Sequence, residues 1–265
     1  MNIAILGSGN IGLSLAKGLV KSDYCKAEQI ILTRRNISNL AEYSAQGYQV
    51  TADNHKAVSD ASIVILAVLP QQLDKLLEEI HSAVKPYHLI ISVISGVTCQ
   101  AVREKLGGQI QVIRAMPNTA ISIGQSMTCI ASDNASAENF KTVELMFETV
   151  GSVVQINEDL MTSATALCAC GIAFFLRAIR AASQGGVEIG FHAEDALKMA
   201  VQTAKGAADL LLLNDSHPEH EIDKVTSPKG CTIAGLNEME HQGFSSALIK
   251  GIKLSAVKAG SLYKE

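Results

Sequence analysis

Short runs of apolar residues alternate with amphipathic stretches along the first 157 residues. The apolar runs predict buried strands, and the stretches whose apolar residues recur every three or four positions predict helices. Strands are predicted at residues 2–6, 29–33, 49–51, 62–68, 89–93, 111–114, 127–131 and 152–155. Strands and helices that alternate at this spacing are typical of an α/β fold with a doubly wound, mostly parallel sheet.

The pattern changes near residue 157, after which only helices are predicted. They span 160–189, as one long helix, then 193–213, 232–242 and 244–263, with a polar loop at 214–221. We therefore expect two domains: a dinucleotide-binding domain at 1–157 and an all-helical domain at 158–265. A helical domain without a deep core of its own often completes that core by dimerising.

The turn between the first predicted strand and the first predicted helix is rich in glycine. It contains Gly7, Ser8, Gly9, Asn10, Ile11 and Gly12. In this G-x-G-x-x-G spacing the first glycine allows the tight turn, the second lets a pyrophosphate approach the backbone, and the third lets the helix pack closely on the strand. Because the motif lies between a strand and a helix, it predicts a Rossmann-type dinucleotide site at the start of that helix.

The end of the second predicted strand indicates which dinucleotide binds. The sequence there is Thr33-Arg34-Arg35-Asn36, without the acidic residue that binds the ribose hydroxyls of NAD. A guanidinium suits a phosphate by charge and by its forked geometry, so we expect NADP, as NADPH, rather than NAD. The alternative is that both arginines are ordinary solvated surface residues.

Composition narrows the function classes. The content of 48% hydrophobic and 18% charged residues is typical of a globular protein. The net charge of −4 and the absence of tryptophan argue against a nucleic-acid partner. We also expect no membrane span, no signal peptide and a cytoplasmic location. The six cysteines show no paired metal-ligand spacing, so we expect reduced thiols and no metal site.

Four segments together carry a resemblance to a known family. They are GSGNIG at 7–12, ILAVLP at 65–70, RAMPNT at 114–119, and KVTSPKGCTIAGLNEME at 224–240. In this combination the chain resembles the pyrroline-5-carboxylate reductases almost from end to end, and residues 225–232 are the most specific part. The resemblance implies hydride transfer from NAD(P)H to a cyclic imine, giving L-proline in proline biosynthesis. It also implies a homodimer through the helical domains, sometimes assembled into a larger ring.

The resemblance implies roles for individual residues. The hydroxyl of Thr232 would hydrogen-bond near the substrate nitrogen as the catalytic group. The substrate-binding residues would be Ser227, Pro228, Lys229, Gly230, Cys231 and Gly171. Besides the glycine turn, the cofactor would contact Arg34, Arg35, Asn54, Ala67, Val68, Leu69, Pro70, Met116, Pro117 and Asn118. Two alternatives stay open here: Thr232 as an ordinary helix N-cap, and Asn118 as a turn residue only.

Two single positions and one short segment depart from the family pattern. Leu69 stands where the family usually has lysine, and Lys229 stands where it usually has glycine. The segment at 168–173 is Cys-Ala-Cys-Gly-Ile-Ala in place of Ser-Gly-Ser-Gly-Pro-Ala, so two hydroxyls have become thiols. Thiols are weaker hydrogen-bond donors than hydroxyls. A metal or redox role for the pair Cys168 and Cys170 is not favoured, because both lie on one predicted helix without a nearby histidine.

These departures leave three other functions to consider. The first is a reductase of a different imine, or of a ketone, on the same scaffold. The second is a catalytically inactive, NADP-binding regulatory relative. The third is a β-hydroxyacid-type dehydrogenase, which would need a lysine general acid on a helix of the second domain. Lys198 and Lys205 are available, but neither has the small-residue surroundings of that family, and surface lysines are the simpler explanation.

Overall fold

The computed structural model describes residues 1–261. The chain divides into two compact units: residues 1–170 with the residues from Leu254 onwards, and residues 171–253. The two units are divided by contacts within the chain, whereas the boundary expected at residue 157 separates a dinucleotide-binding domain from a helical domain. That boundary therefore stays a prediction. The helix expected at 244–263 ends earlier, at Ala259, and is followed by a turn at residues 260 and 261. Positions 262 and 263 of that expectation lie outside the described residues.

The first unit is built on a sheet of eight strands. They are β1 Ile3–Leu6, β2 Ile30–Thr33, β3 Gln49–Thr51, β4 Ile63–Leu66, β5 Leu89–Ser92, β6 Gln111–Met116, β7 Ser126–Ala131 and β8 Gly151–Gln155. Their order in the sheet is β3-β2-β1-β4-β5-β6-β7-β8. All neighbouring pairs are parallel except β6 with β7. The doubly wound, mostly parallel sheet expected from the sequence is confirmed.

Helices cover both faces of this sheet. Ile3 and Ile5 of β1 belong to one apolar cluster, whereas Ala4 and Leu6 belong to a second one. Successive side chains of a strand point to opposite faces, so β1 supplies both cores and must be apolar throughout. The helices are α1 Asn10–Lys21, α2 Ala41–Ala45, α3 Asn54–Ser59, α4 Pro70–Ile80, α5 Cys99–Leu106 and α6 Ala137–Glu148. Because β1 lies between β2 and β4 in the sheet, the glycine turn at its end also lies between the ends of those two strands.

The long helix expected at 160–189 is present, with one irregularity. A 3₁₀ turn at Glu158–Leu160 leads into α7 Met161–Ala164, a π-helical segment Thr165–Cys170, and α8 Gly171–Glu188. A π-helical segment contains extra residues per turn and is often found at functional sites. Hydrophobic periodicity does not distinguish a π segment from regular helix, so the sequence did not indicate it.

The helices that follow agree with expectation except at one place. They are α9 Ala193–Asn214, α10 Pro218–Lys224, α11 Cys231–His241 and α12 Phe244–Ala259. The polar loop expected at 214–221 is wrong in its second half, because α10 begins at Pro218. The signal was in the sequence: Pro218 is at the start of the helix, and the side chain of His217 accepts a hydrogen bond from the backbone N–H of Glu219.

The helical unit leaves much apolar surface uncovered. The buried residues within α8 and α9 are Gly171, Ser183 and Ala196. Large exposed side chains on the same two helices include Phe175, Leu176, Val187, Leu197, Met199, Val201, Leu210, Leu212 and Leu213. Such a surface is too extensive to be left in water in a stable monomer.

Part of this surface belongs to a helical segment that has the length and apolar composition of a membrane-spanning helix. Glu158–Glu188 has 31 residues and is long and apolar enough to cross a bilayer by length and composition alone. Only 28% of its most apolar window is buried within the chain. This segment passes the test of length and composition although no membrane span is expected from the sequence.

Candidate active site

A cleft of about 800 Å³ lies at the carboxyl ends of β1 to β5. Each of these strands sends the residue directly after its end into the lining, among them Gly7, Arg34 and Ala67. In doubly wound sheets this edge, where the strand order reverses beside the first strand, is where ligands bind. The cleft gathers the following residues that the sequence assigned to the cofactor: Gly7, Ser8, Gly9, Asn10, Ile11, Arg34, Arg35, Asn54, Ala67, Val68 and Leu69.

The glycine turn has the geometry that its spacing predicts. Gly7 has a φ of +95°, and a Cβ there would lie 2.7 Å from the carbonyl oxygen of Ala67. A Cβ on Gly12 would lie 2.9 Å from the carbonyl oxygen of Gly7. At Gly9, by contrast, a Cβ would meet nothing within 4 Å. The space above Gly9 is therefore open for a ligand to approach the backbone.

The start of α1 can hold an anion. Gly9 is the N-cap, no side chain caps the helix, and its first turn contains no acidic residue. The first N–H groups of an uncapped helix, together with the helix dipole, favour a phosphate. The Ser8 hydroxyl is 1% exposed and has no hydrogen-bond partner within residues 1–261. Because buried hydroxyls are normally paired, this atom fits a site that is completed by a bound dinucleotide.

A hydrogen-bonded chain links the glycine turn to the far side of the cleft. The backbone N–H of Gly7 donates to Thr33 Oγ1 (3.3 Å), and the Thr33 hydroxyl donates to Asn54 Oδ1 (2.6 Å). Asn54 Nδ2 in turn donates to the Glu79 carboxylate (3.1 Å). The amide of Asn54 thus has both ends occupied by protein partners. It fixes the ends of two strands relative to α4, and it is a structural part of the cleft wall.

The rim of the cleft is positively charged. Arg34, Arg35 and Lys75 all line it and are exposed, and Glu79 is the acidic residue among the lining residues. Three cations against one carboxylate favour a ligand with a phosphate at this end. Glu79 lies on α4 and not at the end of β2, where the ribose-binding acid of NAD sites follows the strand.

Sequence reasoning missed one wall of the cleft. Gln72, Lys75, Leu76 and Glu79 of α4 line it, together with Asn36, Ala52 and Val93. The α4 residues are spaced by three or four positions, which places them on one face of the helix. The amphipathic pattern of 71–84 contained this signal, because a polar stripe flanked the apolar face that α4 packs on the sheet.

Some predicted cofactor residues do not line the cleft. They are Gly12, Pro70, Met116, Pro117 and Asn118. Pro70 is the first residue of α4, and Met116 and Pro117 are buried. The side chain of Asn118 has a structural role, because its Oδ1 accepts from the N–H of Ala120 (3.0 Å) and its Nδ2 donates to the carbonyl of Cys168 (3.4 Å). The turn interpretation of Asn118 is therefore supported, and direct contact with a cofactor stays a prediction.

The predicted substrate loop in the helical unit begins with a tight turn. The N–H of Gly230 donates to the carbonyl of Ser227 (2.9 Å), with Pro228 and Lys229 at the central positions. Lys229 has a φ of +60°, in the left-handed region that glycine normally occupies at this point of a type II turn. A Cβ on Gly230 would lie 2.5 Å from Ser227 Oγ. The loop keeps the glycine-type backbone although a lysine is present.

The helix after this turn is also uncapped. Helix α11 begins at Cys231 with Gly230 as N-cap and no side-chain cap. The alternative that Thr232 is the N-cap is wrong, since Thr232 lies inside the first turn. Its half-buried hydroxyl makes no hydrogen bond within residues 1–261 and is available to a ligand. Gly171, the remaining predicted substrate residue, is buried at the start of α8.

A second group of ionisable residues lies away from the cleft. The ligand atoms of Cys99, Asp133 and Glu158 lie within 4.8 Å of one another. Burial, followed by the charge of Glu158, raises the pKa of the Cys99 thiol to about 12. Arg103 pairs with Asp133, and the buried Arg114 pairs with Glu158 at 3.1 Å. Both carboxylates are thus neutralised by guanidinium groups, so we assign this cluster to structural ion pairing.

Two protein-family models match this chain, one in its N-terminal part and one in its C-terminal part. Residues 158–262 match the family model described as pyrroline-5-carboxylate reductase dimerisation. Residues 2–96 match the model described as NADP oxidoreductase, coenzyme F420-dependent.

Individual proteins show the same similarity over nearly the whole chain. Pyrroline-5-carboxylate reductase 1 of Dictyostelium discoideum is 54% identical over 99% of this chain, which spans 50% of that relative's length. Pyrroline-5-carboxylate reductase 2 of the same organism is 50% identical over 97% of this chain and 92% of its own. A solved pyrroline-5-carboxylate reductase from Coxiella burnetii has a TM-score of 0.92 at 27% identity, covering 100% of this chain and 99% of that chain.

Proposed function

We propose that this chain, which belongs to the pyrroline-5-carboxylate reductase family, transfers a hydride from NADPH to Δ1-pyrroline-5-carboxylate and forms L-proline. The proposal rests on one observation: the chain is 50% identical to a pyrroline-5-carboxylate reductase over 97% of its length. The cleft has groups that suit a dinucleotide phosphate, and the loop of the helical unit has groups that suit a carboxylate and a protonated imine nitrogen.

The cleft is the proposed NADPH site. The uncapped start of α1, above the open face of Gly9, would bind the pyrophosphate. Arg34, Arg35 and Lys75 would bind the phosphate on the adenosine ribose through charge-assisted hydrogen bonds. When bound, the nicotinamide supplies the hydride, and the contribution of this wall is to hold and orient the cofactor.

The turn at Ser227–Gly230 and the start of α11 form the proposed substrate-binding loop. Free backbone N–H groups at Cys231 and Thr232 can hold a carboxylate without a cationic side chain. The cyclic imine must carry a proton on its nitrogen to accept a hydride, and we assign the unpaired Thr232 hydroxyl to accept a hydrogen bond from that N–H. Ser227, Pro228 and Gly230 would shape the loop, and the exposed, positively charged Lys229 would attract the substrate carboxylate.

We propose that the protein is a homodimer through its helical domain. The matched dimerisation model covers the helices whose large apolar side chains are exposed in a single chain. A second copy of this surface would cover them, including the poorly buried Glu158–Glu188 segment. Larger homo-oligomers and the cytoplasmic location stay predictions.

A second candidate function is reduction of another imine or a ketone on the same scaffold. Lys229 and the thiols at Cys168 and Cys170 favour it, because they change the positions that the family uses around its substrate. A catalytically inactive regulatory protein that binds NADPH is the remaining alternative.

A substrate panel separates these candidates. Purified protein is assayed with NADPH against Δ1-pyrroline-5-carboxylate, the six-membered homologue of that imine, and open-chain 2-oxo acids. The proposal requires the five-membered imine to have the highest kcat/KM. Robust turnover of another compound without turnover of the five-membered imine would assign the second function, and tight NADPH binding without any turnover would assign a regulatory role.

A further inference from the structure

Two cysteines that are distant in sequence meet in the first unit. Cys129 lies on β7 and is 5% exposed, and Cys168 lies half-buried in the π-helical segment. Their sulfur atoms are 3.8 Å apart and share a hydrogen bond. The residues packed around them are apolar: Met116, Ala131, Met161, Ala164, Ile156 and Ala169. This pair is distinct from the neighbours Cys168 and Cys170 that the sequence brings to attention.

The two thiols have unequal environments. Cys129 is more deeply buried, and burial disfavours the charged form of a thiol. The hydrogen bond that the two sulfurs share lowers the pKa of the Cys168 thiol, whereas the same bond together with burial raises the pKa of the Cys129 thiol. Cys168 is the more exposed residue of the pair and the one whose pKa is lowered, so we assign it as the nucleophile, and Cys129 as the thiol that keeps its proton.

The local backbone accounts for the position of Cys168. Cys168 lies in the π-helical segment Thr165–Cys170, whose extra residues per turn shift its side chains from the positions that a regular helix would give them. Thr165 Oγ1 donates to the carbonyl of Met161 (2.9 Å), and the carbonyl of Cys168 accepts from Asn118 (3.4 Å). A disulfide needs the sulfurs to approach by a further ~1.8 Å, to a bond length of about 2.05 Å. Both residues belong to one compact unit, so this movement is local.

We propose that Cys168 and Cys129 form a peroxide-oxidisable dithiol, with Cys168 as the attacking thiol and Cys129 as the resolving thiol. The Cys168 thiolate attacks one oxygen of the peroxide, the O–O bond breaks, and hydroxide leaves and is protonated to water. Cys168 becomes a sulfenic acid. The Cys129 sulfur then attacks the Cys168 sulfur, the S–O bond breaks, and a second water leaves with the Cys129 proton. Two thiols are oxidised to a disulfide, and one peroxide is reduced.

The oxidation of this pair needs neither the nicotinamide cofactor nor the imine, although Cys168 stands at one of the positions that the family uses around its substrate. Its product joins the π-helical segment to β7 beside Asn118, which links the end of β6 to Cys168. The other described cysteines have no sulfur partner of this kind recorded within hydrogen-bond distance, so the chemistry is expected to be selective for this pair.

The test is peptide mapping of the full-length, reduced protein after limited hydrogen peroxide. Remaining thiols are blocked with iodoacetamide, and the digest is analysed by mass spectrometry without reduction. We expect one crosslinked peptide that contains Cys129 and Cys168, restored to two alkylated peptides by dithiothreitol. A crosslink between other cysteines, or loss of Cys168 no faster than loss of Cys170, would overturn the proposal, and neither result depends on a variant that folds.

Three serine variants resolve the steps. Cys129→Ser should stop at the sulfenic acid, which dimedone traps on Cys168, and Cys168→Ser should leave Cys129 unoxidised. Cys170→Ser, from the same π-helical segment, is the matched control and should form the disulfide at the wild-type rate. Oxidation of Cys129 at the wild-type rate in the Cys168→Ser protein would contradict the assignment of the attacking thiol.

Discussion

A side chain at Gly7 would collide with the backbone of Ala67, since the first carbon would lie 2.7 Å from the Ala67 carbonyl oxygen. That contact fixes the turn after β1 against the end of β4, the two neighbouring strands that open the cleft. The fold therefore requires two glycines of this turn, Gly7 and Gly12, because a Cβ on either would collide with backbone. The third, Gly9, has no such neighbour, and its lack of a side chain leaves room for a ligand above it.

Gly9→Ala is predicted to separate cofactor binding from folding. Gly9 has a φ of −92°, which alanine adopts, so the new methyl group would point into the open cleft. The lost N-cap preference and the lower entropy of the unfolded chain offset each other to within about 1 kcal/mol. We expect the melting temperature to change by less than about 4 °C while the Kd for NADPH rises by about 100-fold.

Two matched glycine variants control this experiment. Gly7→Ala should lower the free energy of unfolding by about 2 kcal/mol or more, because φ is +95° and the neighbour is backbone. Gly108→Ala, in an exposed loop with nothing within 4 Å, should change neither property. Wild-type NADPH affinity in the Gly9→Ala protein, measured by calorimetry, would show that the pyrophosphate does not approach this face.

Replacement of Arg34 and Arg35 by alanine is predicted to change cofactor preference. If the two guanidinium groups bind the ribose phosphate, the Kd for NADPH should rise by about 30-fold, whereas that for NADH should change by less than about threefold. The control is Lys21→Ala with Lys26→Ala, which removes equal charge from exposed positions outside the cleft. Equal weakening of both nucleotides would mean that these arginines do not recognise the phosphate.

Thr232→Val is predicted to lower turnover without loss of cofactor binding. Valine keeps the shape of threonine and removes the hydroxyl that makes no bond within the described chain. Loss of one hydrogen bond to the substrate nitrogen should reduce kcat/KM by about 10-fold to 100-fold, with the NADPH Kd unchanged. Thr232→Ser should recover most of the activity. A Val variant as active as wild type would leave Thr232 with a packing role only.

Alkylation of Cys168 is predicted to depend on pH around neutrality. The hydrogen bond shared with Cys129 lowers the pKa of the Cys168 thiol, so its reactive thiolate forms at a lower pH than in an ordinary cysteine. The iodoacetamide rate at Cys168 should rise with pH and level off above about pH 8. In the Cys129→Ser protein, the pH at which the alkylation rate of Cys168 is half-maximal should change, because a hydroxyl replaces the partner thiol. A midpoint near the ordinary thiol value of about 8.5 in wild type would refute the lowered pKa.

Much of the fold was accessible from the sequence because local pattern and tertiary environment agree there. The continuous apolar run of β1 predicts a strand buried on both faces, and Ile3 and Leu6 lie in opposite cores. The glycine spacing predicted the turn for the same reason: backbone constraints are local. Pro218 was a local signal too, and the α10 helix was missed because its polar residues resembled a loop.

The parts of the site that the sequence did not reveal depend on contacts across long separations. Lys75 joins Arg34 at the rim only because β4 lies beside β1 and α4 follows it. Cys129 and Cys168 are 39 residues apart in sequence, and Cys168 lies in a π-helical segment, which periodicity does not predict. Asn118 has the type and position of a ligand-binding residue, yet its side chain hydrogen-bonds the protein at both ends.

The most direct test of the central claim is the oxidation of NADPH by the purified protein, followed by the loss of nicotinamide absorbance with and without Δ1-pyrroline-5-carboxylate, and repeated with NADH. The account predicts oxidation only when the imine is present, formation of an equal amount of L-proline, and a higher kcat/KM for NADPH than for NADH. NADPH that is bound but not oxidised in the presence of the imine would contradict the proposed reductase, although the cofactor cleft would stand.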